Sequence, residues 1–164
     1  MDQPINKLGR IAANLTKLPG GLDRVAISLA IGKLVKFAGT SGVEFVEVST
    51  SKVHVRVRNR KKVQNHIGSV HAAAMALLAE TATGIVVGMN VPDERTPVIK
   101  TMKIDYLKRA KGDMEAVARL SIEDMERIRN TEKGDIIVPV TVTDAEGKEP
   151  ISCEMTWAWV PKRR

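Results

Sequence analysis

The sequence predicts an α+β domain in which one long apolar helix is surrounded by antiparallel strands. Three observations carry that prediction. Between Lys62 and Asp93 the only charged side chain is Glu80, so a helix-length run of Ala, Leu, Met, Val and Gly belongs in an interior. Two-residue alternation appears on both sides of that run, at Val43–Ser49 and Lys52–Arg58 before it and in four segments after it. Strands and helices do not alternate along the chain and no G-x-G-x-x-G occurs, which argues against a parallel βαβ domain.

The bulk properties agree. A chain of 164 residues, 43% hydrophobic and 27% charged, fits one globular domain with a substantial core. Cys153 is the only cysteine, so no internal disulfide can form, and a reducing cytoplasm is expected. The start, MDQPINKLGR, lacks the basic-then-apolar order of a secretory signal. The net charge of +7 favours anionic partners: nucleic acid, a membrane surface or a phosphorylated small molecule. Aromatic residues are only 3%, too few for the stacking platforms of single-strand binders, so nucleic acid is the weakest of these.

In chain order, helical spacing runs from Pro4 to about Phe37, with Ile11, Leu15 and Leu18 on one stripe and Leu22, Val25, Leu29 and Val35 on another. Pro19, Gly20 and Gly21 separate two helices that pack on a core lying elsewhere, and Gly39 to Gly42 is a turn. Residues 1–40 thus form a helical extension and residues 41–164 the main domain. Val43–Ser49 and Lys52–Arg58 form a hairpin with Val53, Val55 and Val57 inward. After the central run, strands are expected at Ile99–Leu107, Met114–Leu120, Ile136–Thr143 and Ser152–Val160. Turns fall at Lys111–Gly112 and Asp144–Gly147, giving a sheet that meanders. Ser121–Asn130 suits either a short helix or a twisted continuation of the strand before it.

At about 100° per residue, Met75, Leu78, Ile85, Val86 and Met89 share one side of the central helix. Ala73, Ala76, Thr83 and Gly84 cluster around Glu80 on the other. Small residues about one acid leave room for something to approach it. A membrane span is disfavoured, because an acid near its middle costs roughly 2.5 to 3.5 kcal/mol and Ala, Gly and Thr return little. Glu80 could instead be a buried structural acid, and Gly84 with Gly88 could mark close packing. A carboxylate in apolar surroundings has its pKa pushed up, which suits a general base or nucleophile near neutral pH.

The pattern Asn65-x-x-Gly68-x-x-His71-Ala72-Ala73, followed by Glu80, resembles the hotdog-fold acyl-CoA thioesterases. The likeness is to the phenylacetate-degradation type and to a small bacterial group known only as a domain of unknown function. It spans roughly Val43 to Val160, and in that family an Asn and a catalytic Asp or Glu stand fifteen positions apart, as Asn65 and Glu80 do. The resemblance implies a hotdog fold and a homodimer, with a dimer of dimers as the larger assembly. It makes Glu80 the base or nucleophile attacking the thioester carbonyl. Asn65 orients the water or acyl group, and the Ala72 backbone amide polarises the carbonyl oxygen. Gly68, Ala73, Thr83 and Thr101 would surround the substrate, and Lys108 and Arg109 would meet the coenzyme A phosphates.

Ala72 and Glu80 lie eight residues apart, about 12 Å along a helix axis, so one thioester carbon cannot reach both on the same chain. The two must come from different subunits. Two departures stand out: Ala72-Ala73 replaces the usual Gly-Gly, and Thr101 is the nearest match to a Ser or Thr that some relatives add. Those alanines motivate a rival reading, a non-catalytic dimer that binds acyl-CoA or a fatty acyl chain. His54, His66 and His71 lack metal-ligand spacing, so no metal or other cofactor is expected. His71 is read first as a capping residue and only second as a proton carrier. No G-x-S-x-G elbow supports a serine hydrolase.

Overall fold

Two sheets meet along one bent strand. The computed structural model describes residues 5–19 and 21–162; Pro4 and Gly20, given above to the first helix and to the break after it, lie outside them. Helix α1 (Lys7–Leu15) begins at Asn6, whose Oδ1 accepts from the Gly9 amide at 2.8 Å. Helix α2 (Leu22–Leu34) follows. Where the sequence suggests a turn, a third helix forms, α3 (Lys36–Ser41), and the left-handed glycine that ends it is Gly42. Gly39 serves packing instead, because a Cβ there would collide with the Gly32 carbonyl oxygen of α2.

Strands β1 (Val43–Val48) and β2 (Lys52–Val57) form the expected antiparallel hairpin, with Val43 opposite Val57. Val53, Val55 and Val57 are buried, as alternation requires. The central helix α4 (Ala72–Gly88) comes next, then β3 (Arg95–Tyr106), β4 (Met114–Arg119) and α5 (Ile122–Asn130). Of the two readings for Ser121–Asn130, the helix is correct. A Ser121–Asp124 capping box begins it, each side chain bonding the other residue's backbone amide. The chain closes with β5 (Gly134–Val138), β6 (Val140–Asp144) and β7 (Ile151–Pro161).

The strand order is β1-β2-β4-β6 in one sheet and β3-β7-β5 in the other. β5 and β6 are halves of one extended run interrupted at Pro139, which has no amide for the ladder. The run therefore leaves β7 and continues beside β4. Joined through it, the strands run β1-β2-β4-β6/β5-β7-β3. This corrects the expected meander. β3 and β4 follow each other in sequence, but β3 pairs with β7 and β4 with β2 and β6.

α4 packs against β2, β3, β4, β6 and β7, and burial of Leu77, Leu78, Ile85, Val86 and Val87 there contributes about 1.5–3 kcal/mol per side chain. Its C-terminal end is pinned by two buried amides. Asn90 Nδ2 donates to the Thr50 and Val86 carbonyls at 2.7 and 2.9 Å, while its Oδ1 accepts from Arg129. Asn6 Nδ2 donates to the Gly88 and Val91 carbonyls.

The two ends of the sheet differ. α2 lies against β1, and its Ser28 hydroxyl accepts from the Phe45 amide at 2.8 Å. At the other end, β3 pairs only with β7 among the described residues, and Val98, Met102 and Tyr106 along it are exposed. The stripe expected to bury α2 is on the wrong side: Leu22, Val25 and Leu29 face outward, and Ile27 and Ile31 are the buried residues.

Candidate functional site

α4 starts at Ala72 because His71 caps it. His71 has extended backbone, and its Nδ1 accepts from the Ala73 amide at 3.0 Å. The capping role is therefore met by the side chain itself. The Ala74 and Met75 amides donate to the His71 carbonyl. Of the four donors that begin every helix, this leaves the Ala72 amide, which no group accepts from among the described residues. The dipole of a 17-residue helix makes that N–H a place for developing negative charge.

Glu80 stands a little over two turns further on, half-buried on the same helix. Burial pushes its carboxyl above the ordinary range of a glutamate. The Thr81 hydroxyl pulls the other way. Its oxygen is buried and meets no partner in hydrogen-bonding geometry among the described residues, so burial prevails.

The small-residue face around Glu80 divides in two. Toward the N-terminus Ala73 is exposed and Ala76 half-buried, which leaves that side open. Toward the C-terminus Trp157 of β7 closes it. Its indole lies against Gly84, where a Cβ would fall 2.6 Å from Cζ2, and its Nε1 donates to Thr83 Oγ1 at 2.9 Å. Thr83, assigned from sequence to the substrate, is fully buried, and its hydroxyl donates in turn to the Ala79 carbonyl at 2.8 Å. It belongs to the core. Gly84 reflects close packing, as its spacing allowed, but against a strand tryptophan.

Asn65 and Gly68 lie before the helix, in a turn. The Asn65 Oδ1 accepts from the Ile67 and Ser69 amides, both at 3.1 Å, and Gly68 takes a left-handed conformation with φ of 75°. Asn65 can therefore offer its side-chain N–H groups to a ligand, while its oxygen is committed to the turn. Arg109 braces the same turn: Nε donates to Ser69 Oγ at 2.9 Å and a terminal nitrogen donates to the Ile67 carbonyl at 2.8 Å. Its guanidinium is thus partly occupied, whereas Lys108 is exposed. Thr101 is exposed on β3, opposite Thr156 and just past a bulge.

The chain therefore gathers Asn65, Gly68, Arg109, His71 and Ala72 at the start of α4 and places Glu80 away from them. Sequence reasoning missed Tyr106, whose hydroxyl donates to the Ala72 carbonyl at 3.0 Å and ties the end of β3 to the first turn of α4. Nothing local in the sequence signals that contact, since the two residues are 34 positions apart.

Comparison with known proteins gives a consistent result. A family model described as a domain of unknown function, DUF4442, matches residues 23–160. No curated protein matches the chain. Among solved structures, a structural-genomics protein is 26% identical, with a TM-score of 0.72 over 94% of this chain and 99% of its own. A Pseudomonas aeruginosa protein of unknown function, described as a probable thioesterase, is 24% identical with a TM-score of 0.74, covering 88% of this chain and 97% of its own. A Staphylococcus aureus thioesterase, solved as a glutamine-to-alanine and as a glutamate-to-alanine variant, is 17% identical with a TM-score of 0.65, covering 77% of this chain and 99% of its own. With the long helix against an antiparallel sheet and the family match over most of its length, the chain belongs to the DUF4442 family and carries the hotdog fold.

Proposed function

We propose that the protein hydrolyses acyl-CoA or acyl-carrier thioesters at a site shared by two copies of the chain. Glu80 of one copy is the base or nucleophile, and the Ala72 amide of the other receives the carbonyl oxygen. The single observation that carries the reading is the pairing, on one helix, of an Ala72 amide that has no acceptor among the described residues with a carboxylate at Glu80 whose pKa burial has raised. Their separation of about 12 Å requires two chains. The open, partly apolar edge at β3 offers the place where a second copy could pair, because an unpaired strand edge attracts another strand. Two residues on the Ala72 side support the assignment: Asn65, in the turn before α4, can donate to a water or acyl oxygen, and the exposed Lys108, next to Arg109, can meet a phosphate. The S. aureus thioesterase adds a parallel, since its two substituted positions, a glutamine and a glutamate, are fifteen residues apart, as Asn65 and Glu80 are.

The reading calls on no metal or cofactor and goes with a cytoplasmic protein. Among the described residues no helix is long and apolar enough to cross a membrane. A second reading, acyl-CoA binding without hydrolysis, draws on the methyl group of the exposed Ala73 at the open side of the site. One experiment separates them. Thiol release from a panel of acyl-CoAs is measured for the wild type and for Glu80→Gln, with acyl-CoA binding followed by calorimetry. Hydrolysis lost in the variant with binding retained supports the enzyme. Binding by the wild type with no thiol release supports the second reading, and full turnover by Glu80→Gln refutes the role given to Glu80.

A further inference from the structure

α2 is apolar on two opposite faces, and only one of them is covered. Ile27 and Ile31 are buried toward the sheet. On the far side Leu22, Val25 and Leu29 recur at three- and four-residue intervals and are 61%, 58% and 62% exposed. Lys33, one turn beyond Leu29, lies on the same stripe. Phe37 on α3 is 64% exposed.

The charge of the chain is concentrated on these helices. Residues 5–41 hold Lys7, Arg10, Lys17, Arg24, Lys33 and Lys36 against Asp23 alone, which places +5 of the chain's net +7 in less than a quarter of its length. Arg10 pairs with Asp93. Lys17, Arg24, Lys33 and Lys36 have no ion-pair partner among the described residues. On the neighbouring sheet face Glu44 meets Arg56, Arg58 and Arg60 at 2.9, 2.7 and 3.9 Å, and Glu115 stands beside them. A groove of about 480 Å³ lies between the two, lined by Val25 and Leu29 on one side and by Arg56, Arg58, Glu44 and Glu115 on the other.

An occupant of this face must be apolar at its centre and negative around it. A second copy seated face to face would bring one basic helical surface against the same basic surface, so the charge disfavours it. We infer that the α2 face is a docking surface for an anionic phospholipid membrane, with Leu22, Val25 and Leu29 entering the headgroup boundary, Lys33 on the same stripe facing the phosphates, and Lys17, Arg24 and Lys36 adding to the positive field of the helices. This inference is independent of the catalytic reading.

The test is cosedimentation of the full chain with vesicles of phosphatidylcholine alone and of phosphatidylcholine mixed with phosphatidylglycerol, at low and at high salt. Binding is expected only to the anionic vesicles and is expected to weaken with salt. Leu29→Glu and Lys33→Glu, both at exposed positions and checked for native circular dichroism, should each reduce partitioning by about tenfold or more. No binding to anionic vesicles at low salt overturns the proposal, as does equal binding to neutral ones or undiminished binding by both variants. A fall in oligomer size on Leu29→Glu, read by light scattering, would also overturn it by assigning the face to a second copy.

Discussion

The same substitution at two glycines of α4, one turn apart, should have opposite effects. At Gly84 an added Cβ would fall 2.6 and 2.7 Å from two ring carbons of Trp157. That ring is buried and held by its bond to Thr83, so it yields only by breaking the bond. Overpacking of this kind costs about 1–3 kcal/mol and the lost hydrogen bond about 1 kcal/mol, against about 1 kcal/mol gained from alanine's helix propensity. The net loss is about 1–3 kcal/mol. At Gly88 the Cβ would meet Leu8 Cδ2 at 3.4 Å and Pro97 Cγ at 4.0 Å, which are ordinary contacts. Only the entropic gain of about 0.5–1 kcal/mol remains there. For a domain of this size each kcal/mol moves Tm by about 2–4 °C. Gly84→Ala should therefore lower Tm by roughly 3–10 °C and Gly88→Ala raise it by roughly 1–3 °C, both read by circular dichroism. Tryptophan emission should shift in the first variant alone. A Gly84→Ala protein as stable as the wild type would refute the account of Trp157 as a fixed wall beside Glu80.

Four further outcomes are expected. Because burial raises the Glu80 pKa in the folded state, the fold binds that proton more tightly than the unfolded chain does. Stability is lost as pH rises from 4.5 through the folded pKa, so Glu80→Gln should melt above the wild type at neutral pH and converge with it below about pH 4.5; a variant less stable at neutral pH would contradict this. Thiol release should rise over the same interval as Glu80 ionises. His71→Ala should lose the cap and about 1 kcal/mol, whereas His71→Asn keeps a capping side chain and should retain both Tm and turnover; inactivity of His71→Asn with its stability intact would make His71 a proton carrier instead. Changing Val98 and Met102 together to Lys charges the open β3 edge, and light scattering should then report monomers whose thiol release has fallen by at least about tenfold; a fully active monomer would exclude a shared site.

Much of the fold could be read from residue pattern, and the exceptions have distinct causes. Val53, Val55 and Val57 alternate with charged or polar neighbours, so their inward face was determined locally. α2 offered two apolar stripes, and periodicity cannot say which of them meets β1. Gly39 looked like a turn residue because the Gly32 backbone that excludes its Cβ belongs to another helix. The site divides in the same way. Glu80 was conspicuous as one acid in an apolar run, and His71 stood where a cap was needed. Thr83 was misplaced because its real partner, Trp157, is 74 residues away, and Tyr106 was missed for the same kind of reason.

The anchoring of α4 has a further implication. Asn90 and Asn6 hold one end, and His71 and Tyr106 hold the other. The helix therefore behaves as a ruler of set length, and the spacing between its amide and its carboxylate cannot adapt to the ligand. On the proposed reading, two such rulers are laid side by side, and the only adjustable dimension is how far one slides past the other. Preference among acyl groups would then be written in the contacts between copies, where a change at the β3 edge could retune it without altering a residue that touches the thioester.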